Sequence, residues 1–257
     1  MKTTRLNLED YIKGDYDVLR DSWYSPIEII SRFEQLRHVY GSQILKKSEF
    51  KRARELFVGA VSLLGAYELH PQNKYWLQSN RQSTSPDVVG AKQIEHEGGI
   101  LLEQTMIEVV DFEEHHPSND IVEFLLETKL SKKYAYSEHT AIVMMVNKVV
   151  PFNLQQVHAR LENITIKPSI YIIGRPKDSE KGIFTISTVN PPVLKRPILF
   201  NIVETASKYS IPPRIQFHKG IEKEIVYTKE IMSPVNTYNV MGLDQKKIEA
   251  KYPRIGH

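Results

Sequence analysis

Asp87 and Glu108 are the residues whose type and spacing point to chemistry, because they flank a Gly98-Gly99 pair in the stretch Ser85 to Glu114. Glycine reaches positive φ without steric cost, so Gly98-Gly99 predicts a turn. Val88-Val89 before the pair and the apolar run from Ile100 to Phe112 after it predict two antiparallel strands. Folding that ribbon about the point between Glu97 and Gly98 sets Asp87 directly opposite Glu108, with both side chains on one face. Two carboxylates facing each other in an apolar ribbon repel. A divalent cation between them relieves that repulsion, since Mg²⁺, or Mn²⁺ in its place, takes carboxylate oxygens.

Other elements must hold this pair. Ser48 to Leu69 predicts a helix with Ser48 as N-cap and Phe50, Ala53, Phe57, Ala60, Val61 and Leu64 on its apolar face. Glu55, Gly59, Ser62 and Ala66 share a second face. Small residues there let the helix approach another element closely, with Glu55 at the edge of the contact. Pro71 to Ser85 reads as a connecting segment in which Tyr75-Trp76-Leu77 is a packed anchor. His115-His116-Pro117 reads as a loop. Ser118 or Asn119 is expected to cap a helix from Asp120 to Tyr134, whose Lys129 borders the apolar face. The runs Ala141 to Asn147 and Ser169 to Ile173 predict strands buried on both faces. A helix from Phe152 to Leu161, capped by Asn153, lies between them, which is the pattern of a parallel pair. Ile183 to Val189 alternates as a strand, Pro197 to Val203 is strand-like, and Ile225 to Tyr227 is a further short strand candidate. Helices are expected before residue 45, with Pro26 opening the second of them. The expected organisation is a helical accessory region over 1–45, a core over 46–205 and an extension over 206–257.

Composition narrows the classes. The 257 residues are 41% hydrophobic, enough for a real core, and no apolar run reaches membrane-spanning length. The absence of cysteine excludes disulfides, thiolate metal sites and cysteine nucleophiles, and it fits a reducing cytoplasm. A net charge of +3 permits a nucleic-acid partner without demanding one.

The order of a helix bearing Glu55, a strand opened by Pro86-Asp87, a strand with Ile107-Glu108-Val109-Val110, then helix, strand, helix and strand resembles the PD-(D/E)XK, or restriction-endonuclease-like, nuclease superfamily. The resemblance spans about Ser48 to Ile173. It implies an α/β fold with an αβββαβ core and an N-terminal helical extension. The activity implied is a Mg²⁺-dependent endodeoxyribonuclease of restriction or repair type. On that likeness Asp87, Glu108 and the Val109 carbonyl would hold the metal, with Glu55 as the helix glutamate. Val110 departs from the pattern, standing where the superfamily has a lysine. In some members that lysine moves to the following helix. Lys129 is the best placed substitute, with Lys132 and Lys133 behind it and Lys92 a weaker choice. DNA is the partner implied, and Lys47, Lys51 and Arg54 at the start of the Glu55 helix, with Lys132 and Lys133, suit phosphate contact. Cutting both strands calls for two sites, hence a homodimer or sequential nicks. The alternative is a nuclease-fold module, inactive for want of the lysine, that serves nucleic-acid binding or assembly.

Overall fold

The computed structural model describes residues 22–79, 85–96, 99–131, 136–137, 139–162, 164–166, 168–177, 179–209, 214–217 and 232–234. Among these residues ten strands form one mixed sheet. In chain order they are β1 (Ser22–Tyr24), β2 (Lys74–Ser79), β3 (Val88–His96), β4 (Gly99–Phe112), β5 (Thr140–Val146), β6 (Ser169–Gly174), β7 (Ile183–Asn190), β8 (Ile198–Asn201), β9 (Arg214–Phe217) and β10 (Met232–Pro234). Their spatial order is β10-β9-β1-β2-β3-β4-β5-β6-β7-β8. The helices are α1 (Pro26–Tyr40), α2 (Gln43–Lys46), α3 (Lys51–Leu69), α4 (Ile121–Thr128), α5 (Leu154–Leu161) and α6 (Ile202–Lys208). From α3 onward the chain therefore runs helix, three strands, helix, strand. No helix among the described residues is long and apolar enough to cross a membrane.

The sheet is covered on both faces, which explains the unbroken apolar runs. Along β5, Ala141, Val143 and Met145 face α1 and α3, while Ile142 and Met144 face α4 and α5. β5 pairs in parallel with both β4 and β6, and α4 and α5 make the crossovers. Asn153 caps α5 as its sequence position predicts, its side chain accepting from the Gln156 N–H at 3.1 Å. The small-faced side of α3 does allow a close approach. A Cβ on Gly59 would lie 3.0 Å from Leu77 of β2 and 3.6 Å from Val88 of β3, and buried Ser62 turns its hydroxyl back to the Gly59 carbonyl at 2.7 Å.

Several expectations change. Tyr75-Trp76-Leu77 is the middle of strand β2 rather than an anchor in a connection; all three side chains are buried, so the run carries no in–out alternation to mark it as a strand. Ser48 is not a cap: it opens a single 3₁₀ turn, Ser48–Phe50, and α3 begins after it without a side-chain cap. Asp120, rather than Ser118 or Asn119, caps α4 by accepting from the Val122 and Glu123 N–H groups at 2.9 and 3.0 Å. α4 then stops at Thr128, well short of Tyr134. Residues 197–203 divide between β8 and α6. The expected Ile225 to Tyr227 strand lies outside the described residues. The segments expected as accessory region and extension contribute β1, β9 and β10 to the same sheet, and α1 stacks Phe33 on Phe57 of α3 at 4.3 Å.

Candidate functional site

The β3–β4 hairpin has the register that its turn symmetry predicts, from His96↔Gly99 to Val88↔Ile107. Continued one step further, that register would oppose Asp87 to Glu108, but the paired residues end at Val88 and Ile107. There the ladder ends on one side. β3 starts at Val88, whereas β4 runs on to Phe112 with β5 as its one neighbouring strand among the described residues. The β4 edge from Glu108 onward thus opens onto a cleft of about 270 Å³ lined by Lys51, Arg54, Glu55, Asp87, Val109, Val110, Asp111 and Lys129.

Asp87 takes over where its own strand stops, its Oδ2 accepting the Val109 N–H at 2.9 Å. In an extended strand the N–H and C=O of one residue point to the same edge. The alternate residues of β4 face β5, as shown by the Met106 N–H donating to His139 and the Phe112 carbonyl accepting from Asn147. The Val109 carbonyl therefore faces the cleft edge, beside Asp87.

Glu108 is buried, with 5% of its side chain exposed, and each of its oxygens has one partner. Its Oε1 accepts from the Ser85 hydroxyl and its Oε2 accepts from Lys129 Nζ at 2.7 Å. Lys129 is the C-cap of α4, so the early end of that helix turns its side chain back toward β4. Glu55 enters from α3, within hydrogen-bonding reach of Asp87 and 3.3 Å from Lys51. Burial first, and then the Asp87 charge, hold the Glu55 carboxyl above its ordinary value. The Glu55 charge in turn raises Lys51.

The residues expected to act thus meet at one place: Asp87, Val109, Glu55 and Lys129 line the cleft, and Glu108 joins them through Lys129. Lys51 and Arg54 form its basic wall. Arg54 has a structural duty as well, donating to the Ile44 and Lys47 carbonyls at 2.8 Å each and so tying α2 to α3. Lys47 is exposed and lies 3.9 Å from Glu49. Lys132 and Lys133 fall outside the described residues. Lys92 points elsewhere, pairing with Glu103 at 3.1 Å on the exposed hairpin. His115 pairs with Glu113 and His116 packs on Phe112 and Phe124, in keeping with a loop.

Sequence reasoning passed over two residues. Asp111 lines the cleft on the same side of β4 as Val109; burial first, then Glu113, raise its carboxyl, while Arg54 opposes the shift. Ser85 holds Glu108. The period-two pattern of β4 was the available signal for Asp111, since residues 107, 109 and 111 share one face.

Among the described residues no three His, Asp or Glu side chains gather as a ready-made metal cluster. The donor set still fits Mg²⁺, which keeps several waters and is commonly held by one or two carboxylates. Asp87 and Glu108 offer carboxylate oxygens, each able to accept more than one partner, and the Val109 carbonyl lies on the same edge. Compared with protein-family models, curated proteins and solved structures, the chain gives no match in any of the three.

Proposed function

We propose that this protein is a metal-dependent endodeoxyribonuclease, a phosphodiester hydrolase of restriction-endonuclease-like architecture, acting at the cleft where β4 outruns β3. One observation supports this reading above the others: Lys129 Nζ lies 2.7 Å from Glu108 Oε2, although Glu108 is on β4 and Lys129 is at the C-terminal end of the crossover helix α4. A lysine on the helix after the second acidic strand, with Val110 at the usual lysine position, is an arrangement that supplies the missing cation from elsewhere. The helix–three strand–helix–strand order from α3 to β5 supports the same reading.

Asp87, Glu108 and the Val109 carbonyl would hold a Mg²⁺ or Mn²⁺ ion. That ion would supply Lewis-acid polarisation of a phosphoryl oxygen and a water of lowered pKa. The chain's own groups do the rest. Lys129 places a positive charge beside the reacting phosphate, where negative charge grows in the transition state. Lys51 and Arg54 attract and orient the phosphate backbone. Glu55, with its proton affinity raised, is suited to exchange a proton with the attacking water. Ser85 and Lys129 together fix the Glu108 carboxylate.

Cleavage of supercoiled plasmid in Mg²⁺ or Mn²⁺ tests the reading, with Asp87→Ala and Glu108→Ala as controls. The wild type should cut, both variants should lose cleavage by several orders of magnitude, and chelation should abolish it. A wild type that binds the ion through Asp87 without cutting would leave the inactive binding module in its place.

A further inference from the structure

A second group of charges lies at the same end of the sheet, outside the cleft. Arg37 and Lys181 both pair with Oε2 of Glu34, Lys181 at 3.7 Å. Arg175 lies 4.8 Å above the Phe184 ring beside them. Cations from α1 and from the turn before β7 therefore meet one carboxylate, and Arg175 at the end of β6 makes a third cation nearby. Arg175 and Lys181 are exposed. Three cations stand against the single Glu34 carboxylate there, so positive charge is in excess. Nothing in the fold requires this excess, because Phe57, Phe184 and Phe200 already pack the core beneath it.

Two lines of geometry connect the cluster to the cleft. Asp111, Met145 and Ile173 are in register across β4, β5 and β6. Two strand spacings sideways and two residues onward to Arg175 make a backbone separation of about 12 Å. Independently, Arg54 of the cleft wall is one helical turn from Phe57, whose ring is 6.5 Å from Phe184, beneath Arg175. The basic wall of the cleft and the cluster thus border one another on the α1–α3 side of the sheet. A span of about 12 Å covers several phosphates of a duplex, which carries one charge per about 1.7 Å of axis.

We propose that Arg37, Arg175 and Lys181 form a second phosphate-binding site, which grips the backbone of duplex DNA on one side of the cleft. Their planar and flexible cations match phosphates by charge alone, so the contact is sequence-independent. The inference rests on the nuclease reading for the identity of its ligand.

The test uses the full chain and a labelled duplex oligonucleotide in chelator, with affinity measured by anisotropy across a salt series. Arg175→Gln with Lys181→Gln should weaken binding on the order of tenfold and lower the slope of log affinity against log salt by about 1.8, at about 0.9 per lost phosphate contact. Arg175→Lys should restore most of the slope. Metal-dependent hydrolysis of bis(p-nitrophenyl) phosphate, a diester too small to reach the cluster, should be unchanged. An unaltered salt slope, or a wild type that does not bind duplex, overturns the second site. A lowered slope in a protein that hydrolyses neither substrate supports the second site and overturns the nuclease reading alone.

Discussion

Replacing Lys129 by methionine separates the ion pair that joins α4 to β4. Glu108 has 5% of its side chain exposed and Lys129 18%, so the substitution leaves a carboxylate poorly hydrated, with Ser85 as its remaining partner. Breaking a fully buried pair costs about 3–5 kcal/mol, and the partial access of Lys129 brings the expected loss to about 2–3 kcal/mol. For a chain of this size that is a fall of roughly 5–10 °C in melting temperature. Glu108→Gln should cost less, about 1 kcal/mol, because the amide keeps its bond to Ser85 and the lysine reaches water. The double variant should recover most of the loss, a coupling of about 2 kcal/mol in a double-mutant cycle by urea unfolding. Mg²⁺ should stabilise Lys129→Met more than the wild type, since the ion then replaces a missing cation. If Lys129 also stabilises the transition state, single-turnover cleavage should fall by about 10²–10³-fold. A Lys129→Met protein as stable as the wild type, with an equal response to Mg²⁺, would refute the ion pair and with it the assignment of Lys129 to the site.

Asp87→Asn should be more stable than Asp87→Ala, by about 1 kcal/mol in urea unfolding, because the amide oxygen can still accept the Val109 N–H; equal stability would mean that this bond contributes nothing. Folding raises the Glu55 carboxyl above 4.5 and the Asp111 carboxyl above 3.8, so the folded chain holds more protons than the unfolded one above those values. Their contribution to metal-free stability is therefore fully present at or below those values and should be lost as pH rises through the raised range. Asp87→Asn should flatten the decline, which melting curves between about pH 4 and 8 would measure. Gly65→Ala should destabilise by about 1–3 kcal/mol and by more than Gly59→Ala. Its Cβ would meet three atoms of Ile186 at 2.9–3.2 Å, whereas that of Gly59 meets one leucine methyl at 3.0 Å.

The hairpin register was legible in the residues alone, because side chains alternate with a period of two and a turn of fixed length leaves one way to pair the strands. Continued one step, that register sets Asp87 against Glu108. Also legible was the parallel β5–β6 pair, since runs as apolar as Ala141 to Val146 must be buried on both faces. The close seat of α3 was legible in Gly59 and Ser62. Tertiary structure decided the rest. β2 was hidden because burial of Tyr75, Trp76 and Leu77 on both faces erases alternation. Lys129 could be named a candidate from its place after Leu125, but its 2.7 Å contact depends on where α4 stops and how the crossover returns to the sheet. Asp111 joins the cleft because β3 ends before β4 does, a difference between two strands that neither strand encodes alone. The pairing of β1 with β2 and β9, far apart in sequence, is likewise a long-range contact that no local pattern announces.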